Sequence, residues 1–356
     1  MNIQKATKQY EQWLSGFTPL VKSDVDFKHQ QMAKAPFPFM RATFYRWVQI
    51  WQTVCKEEGD TPVLLSVGDL HVENFGTWRD AEGRLVWGVN DFDESCHLPY
   101  SNDLIRLATS VKLAIEASHL HLIFGSACQT ILSGYAAGLK TGGRAYVLAE
   151  DHGWLRTIAH SILSDPVPYW QKMDSLPIVK IVPESAIAAI EHVMPQPGIR
   201  YTVRHRVAGL GSLGHPRFVA IAEWEDGKLA REAKALVPSS SVWTREDSSP
   251  EIFYQAIIDR AIRCRDPFVR LQGHWIVRRL APDCSRIELA SLPEVSSEEK
   301  LLYAMGFETA NIHLGSKKII KAVLEDLKRR KNGWLQSAAE AMAETIHSDW
   351  ESWKSG

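Results

Sequence analysis

Two short stretches carry residues whose types and spacing could do chemistry: Gly68-Asp69-Leu70-His71-Val72-Glu73-Asn74-Phe75-Gly76 and Asn90-Asp91-Phe92-Asp93-Glu94. Each begins where a segment reading as a strand ends, Pro62 to Val67 and Arg84 to Asn90. Strand ends followed by loops present polar groups to a cleft. Asp69 and Asn74 on one loop, with Asp91 from the neighbouring strand, can converge on one point. Phosphoryl transfer needs such a set: one carboxylate orients or deprotonates a hydroxyl, while an amide oxygen and a second carboxylate hold Mg²⁺ against a triphosphate. Taken singly, Asp69 and Asn74 could simply satisfy turn amides. The combination of G-D-x-H-x-x-N with a strand-terminal D-F-D favours the chemical role. His71 reads as a holder of this loop rather than a metal ligand.

A second candidate segment, Ala208-Gly209-Leu210-Gly211-Ser212-Leu213-Gly214, lies between two expected strands, Tyr201 to Val207 and Arg217 to Trp224. Glycines there let a turn approach phosphates closely, so Gly209, Gly211, Ser212 and Gly214 are the expected phosphate-binding positions. A dinucleotide-binding version of G-x-G-x-x-G needs a helix next, but His215 to Ala222 reads as strand. That context favours a hairpin over the phosphates, with a lysine on the following strand. Lys234, flanked by Ala233, Ala235 and Leu236, is preferred to Lys228. Glu251 and Asp259 are the open alternatives for the carboxylate that orients it.

The stretch from Val67 to Ser110 resembles the catalytic core of aminoglycoside-phosphotransferase-like kinases. There a G-D-x-H-x-x-N loop precedes a D-x-D metal motif, a proline and a D-L-x-x-L helix start, here Pro99 to Leu107. The resemblance makes Asp69 the catalytic base, Asn74 and Asp91 metal ligands and Asp93 an auxiliary ligand. Asp103 is expected to cap its helix with Asn102. One departure is Val67, where the usual residue is His. Nearly the whole chain also resembles an uncharacterised bacterial family, domain of unknown function 2252. Its features appear as Ala35-Pro36-Phe37-Pro38-Phe39-Met40-Arg41, G-D-L-H-V-E-N-F-G, N-D-F-D-E and G-L-G-S-L-G.

The expected fold is α+β and two-lobed, protein-kinase-like and circularly permuted, because the catalytic loop precedes the glycine-rich lobe. Residues 1–60 form an N-terminal helical segment, and 61–195 carry the catalytic loop and a helical large lobe. Residues 196–282 form a β-rich nucleotide-binding lobe, and 283–356 are helices completing the large lobe. Strand Trp275 to Leu280 is the expected hinge for adenine, with Leu271 and Leu280 as apolar contacts. Pro250 to Cys264 reads as one helix. Permutation is tolerable where a cut falls in an exposed loop and the old termini are close. It requires Gly211 and Asp69 to face one cleft.

Composition removes several classes. The net charge of −1 gives no footprint for nucleic acid or an anionic membrane. No run reaches the about 18 apolar residues that span a bilayer, and five scattered cysteines suggest neither disulfides nor zinc. A cytoplasmic protein using ATP and Mg²⁺ on a small-molecule hydroxyl is the leading expectation. An adenylyltransferase or a nucleotide-binding pseudokinase on the same fold are the alternatives, and a metallophosphoesterase, which needs more His ligands, ranks last.

Overall fold

The computed structural model describes residues 1–148, 152–162, 165–245, 250–284 and 295–356. The chain is a mixed α+β protein with small sheets. Its N-terminal part is helical: α1 (Ile3–Leu14), α2 (Lys22–Lys34), α3 (Pro36–Ala42), α4 (Phe44–Val54) and the short α5 (Lys56–Gly59). Pro36 opens α3, where its missing N–H costs nothing. Tyr45, Trp47, Val48 and Trp51 put one face of α4 into the main core.

Two small antiparallel sheets follow. Strand β1 (Val63–Ser66) pairs with β4 (Cys96–Pro99), and β2 (Phe75–Arg79) pairs with β3 (Leu85–Val89), which also takes the short β5 (Tyr146–Val147). Strands β1 and β3 lie where the hydrophobic runs place them; β2 and β4 were not expected. Helix α6 (Ser101–Glu116) then crosses the core, packed by α7 (Phe124–Thr141), α13 (Val295–His313) and α15 (Trp334–Ser355). Gly142, at φ 81°, closes α7 where the Gly142-Gly143 break was read.

After α8 (Gly153–Ile162), α9 (Pro166–Asp174) and α10 (Glu184–Glu191) comes a five-stranded antiparallel sheet. Strands β6 (Tyr201–His205), β7 (Arg217–Trp224) and β8 (Gly227–Ala235) form a meander. The turn at Glu225 and Asp226 has both φ values positive, 49° and 59°, the geometry that suits tight hairpins. The short α11 (Ser240–Trp243) and α12 (Tyr254–Arg260) intervene. Then β9 (Arg270–Gln272) leads to β10 (Trp275–Leu280), which returns beside β8, giving the order β6-β7-β8-β10-β9.

The helix expected over Pro250 to Cys264 is thus confined to Tyr254–Arg260, with Pro250 outside it. Tyr254 and Ile257 anchor that short helix in the core, and Ala261 leaves in extended conformation. Helix α10 covers one face of the sheet through Ala186, Ala189 and Ile190 against Ala220, Ala233 and Val277. Helix α14 (Ile320–Arg329) precedes α15. Among the described residues no helix is long and apolar enough to cross a membrane.

Candidate active site

The site begins where β1 ends. Gly68 takes φ 84°, and a Cβ there would meet the Glu94 carbonyl at 2.3 Å, so only glycine lets the two acidic stretches lie together. The first turn of α6 holds the other side of this bend. Asp103 Oδ2 accepts from Val67 N at 2.7 Å and Oδ1 from Gly68 N at 2.9 Å, and His313 Nε2 lies 3.0 Å from Oδ2. Asn102 Nδ2 donates to Gly68 O at 3.1 Å. These residues secure the loop rather than cap α6; the cap position is Tyr100, without a side-chain bond. The expectation of an Asp103–Asn102 cap is therefore corrected: both lie inside the first turn, facing the strand end.

Asp69, Asn74, Asp91 and Asp93 line one small cavity of about 50 Å³, together with Gly209, Gly211 and Ser212. Asn74 Nδ2 donates to the carbonyls of Asp69 and Asp91, at 3.1 and 3.3 Å, tying the two acidic stretches to each other. His71 Nδ1 accepts from Glu73 N at 3.2 Å, the loop-holding role read from its position. Asp69 Oδ1 accepts from Arg106 Nε at 2.9 Å and Nη2 at 2.5 Å. Burial pushes the Asp69 carboxyl up, opposed by Arg106 and Arg41.

The glycine-rich segment arrives from the sheet lobe and touches this loop. A Cβ built on Gly211 would stand 3.5 Å from Asp69 Oδ2 and 3.3 Å from Arg41 O. Gly211 and Asp69 therefore share one cleft. Gly214 does not join them: its backbone faces α2, where Val21 N donates to Gly214 O at 2.8 Å and a Cβ would clash with Val25. Lys28 of α2 donates to Gly211 O at 2.9 Å. Ser212 Oγ accepts from Arg217 Nη2 at 3.0 Å.

Lys234 is fully buried, with its ammonium bonded to Asp93 and 3.7 Å from Asp91 Oδ1. Burial pulls the Lys234 ammonium down, opposed by those two carboxylates. The same burial, with Asp91 adding to it, pushes Asp93 up to about 6. Neither Glu251 nor Asp259 orients Lys234: Asp259 pairs with Arg265, and the ammonium is taken by the D-x-D motif itself. Lys228 instead pairs with Asp174 at the surface.

Three residues of this site were not singled out from sequence. Arg106 holds Asp69 and stacks on Trp47 and Phe44, its guanidinium 4.7 and 5.2 Å from their rings. Its signal was the D-L-x-R spacing, which puts it one helical turn beyond Asp103 on the same face. Glu94 accepts from Ser240 N and Oγ at 2.6 Å each, and burial pushes it up to about 7. Lys28 carries no local motif.

The donors present are hard oxygens of the kind that suit Mg²⁺. Among the described residues, however, no three His, Cys, Asp or Glu side chains form a ready-made metal cluster. Asp93 Oδ1 is buried without a hydrogen-bond partner, and Lys234 already places one cation against Asp91 and Asp93, so the pocket tolerates positive charge.

No curated protein and no solved structure matches the chain. Residues 20–157 match the family model described as an uncharacterized protein conserved in bacteria (DUF2252), so the acidic cluster and Arg106 fall within that family's pattern while the glycine-rich segment lies beyond the match.

Proposed function

We propose that the chain is an ATP- and Mg²⁺-dependent phosphotransferase acting on the hydroxyl of a small molecule. The observation that carries this is the meeting of Gly211 with Asp69 at the cavity where Lys234 grips Asp91 and Asp93. Segments far apart in sequence supply an acid or base, a metal-type donor set, a phosphate-type glycine turn and a lysine to one point. A kinase-like fold in permuted order is part of the proposal. Its support is the meander β6–β8, the helix α12 and the return of β10 beside β8.

In this reading Asp91, Asn74 and Asp93 would hold Mg²⁺, which supplies charge neutralisation for the triphosphate. Asp69 receives or orients the hydroxyl proton, and Arg106 fixes its carboxylate so that one oxygen faces the cavity. Lys234 moves from the carboxylates toward the phosphates as they arrive. Gly211 lets the backbone approach without a side chain in the way. Asp91→Ala should abolish Mg²⁺-dependent nucleotide turnover; unchanged turnover in a folded variant refutes the assignment. ATP labelled at the α or γ phosphate separates phosphoryl from adenylyl transfer by which label reaches product.

A further inference from the structure

Past Gly209 lies a second cavity of about 900 Å³. Asn90 and Phe92 face it, whereas Asp91 and Asp93 face the acidic cavity, and Gly209 borders both. Its roof is the underside of the five-stranded sheet. There the register sets Arg217 beside Lys234 and Arg278 beside Glu232, so a row of cations runs from the acidic cluster into the cavity.

Glu232 is fully buried and accepts from Arg206 Nη1 at 2.6 Å and Arg217 Nη1 at 2.9 Å, with Arg278 Nε at 3.6 Å. Three guanidiniums on one carboxylate leave the group cationic, and a buried cationic group calls for an anion. Arg278 Nε and Arg263 Nη1 are both buried without a hydrogen-bond partner. Arg263 is stacked on Trp78 and Phe92, its guanidinium 4.5 and 5.0 Å from their rings. Of the acidic residues in the lining, Asp259 pairs with Arg265, Asp165 accepts from Val167 N, and Asp266 accepts from Phe268 N while its charge partly offsets Arg263, Arg278 and Arg279.

The apolar part of the same sheet underside is packed against neighbours yet still borders the cavity. Leu280, an expected adenine contact, packs with Met173 of α9, Val219, Ile221 and Ala230, and Leu271 packs against the main core. The arginine row is the cationic part of a lining that also includes Tyr169, Met173 and Leu280. We infer that this cavity is a polyphosphate site, in which Arg206, Arg217, Arg263 and Arg278 hold the phosphates of a nucleoside triphosphate and present the reacting one past Gly209. Planar guanidinium forks match phosphate oxygens bidentately, which a lysine cannot do. The inference rests on the nucleotide reading above but adds a different residue set and a different cavity.

Calorimetry on the full chain with inorganic tripolyphosphate, ATP and adenosine tests it. Tripolyphosphate is expected to bind and to displace ATP, whereas adenosine is not. Arg206→Met and Arg278→Met should each weaken tripolyphosphate about tenfold, the size expected for one charge-assisted contact. Arg206 is partly exposed, so its variant keeps the test decisive if Arg278→Met fails to fold. Wild-type affinity in folded Arg206→Met and Arg278→Met, or displacement of ATP by adenosine but not by tripolyphosphate, overturns the inference. ATP binding that ignores the arginines would leave the phosphotransferase reading standing while this one falls. Tripolyphosphate binding without any ATP binding would overturn both, because the site would then hold phosphates but no nucleoside triphosphate.

Discussion

The ammonium of Lys234 on β8 bonds to the carboxylate of Asp93, 141 residues earlier in the chain. This contact ties the five-stranded sheet to the acidic loop, with Lys234 fully buried and Asp93 largely so. A buried ion pair is weak evidence for net stability, yet removing one partner leaves the other charge stranded.

Lys234→Met should therefore cost about 3 kcal/mol of unfolding free energy near pH 8. The loss should shrink toward pH 5. Asp93 is held up to about 6 by burial and by Asp91, with Lys234 pulling the other way, so losing the lysine raises it further. Below that value the carboxyl is neutral and no longer needs the ammonium. Urea unfolding at the two pH values checks this; an equal loss at both would mean that Asp93 is not the group left unpaired.

Wild-type stability should itself fall as pH rises from about 4.5 to 7. Burial pushes both Glu94 and Glu308 up to about 7, above their unfolded value. The folded chain then binds more protons than the unfolded one in that window. Stability from these groups is complete below the unfolded pKa and lost as pH passes through the folded one, up to about 3 kcal/mol per group. Glu308 accepts from Asn311 Nδ2 at 2.7 Å and Val89 N at 3.3 Å, bonds that a glutamine oxygen can partly keep. Glu308→Gln should flatten the melting temperature against pH; an unchanged slope would exclude Glu308 as its source.

Gly68→Ala is expected to cost about 2 kcal/mol or more, because strain at positive φ adds to a contact with backbone. The Glu94 carbonyl stands 2.3 Å from the new Cβ. Gly83 separates the two causes: it has φ 73° and nothing within 4 Å of its Cβ position. Gly83→Ala should therefore show the backbone part alone, and equal melting shifts in the two variants would remove the clash from the account.

The parts of this architecture that were readable in sequence are those set by local rules. Strands β7 and β10 follow short apolar runs between turn signals, and the Gly68 bend and the D-F-D stretch sit at strand ends where expected. The convergence of Asp69, Asn74, Asp91 and Gly211 was legible because motif spacing constrains each piece. The partner of Lys234 was not, since it depends on how the sheet lobe docks. Asp259 on α12 turns to Arg265, and the docking gave the lysine Asp93 instead. Glu232 with its three arginines is equally nonlocal: Arg206, Arg217 and Arg278 come from the loop after β6, from β7 and from β10, and only strand register gathers them. Arg106 lies between these cases, on a readable helix face but with a partner fixed by the Gly68 bend.

Helix α2 bears directly on the glycine segment as well as on the core. Val21 N and Lys28 Nζ hold the carbonyls of Gly214 and Gly211, and His205 Nε2 lies 3.0 Å from Asp24 Oδ1. Helix α2 thus clamps the turn that would close over phosphates. Burial pulls the Lys28 ammonium down, opposed mainly by Glu11, so the charge is costly where it stands. Lys28→Met relieves that cost while leaving Gly211 O without its donor. Global stability should consequently change little, whereas amide exchange across residues 208–214 should quicken about tenfold or more, because local opening has its own free energy. Exchange at the wild-type rate in that stretch would show that the Val21–Gly214 bond suffices and that α2 does not set the loop's mobility through Lys28.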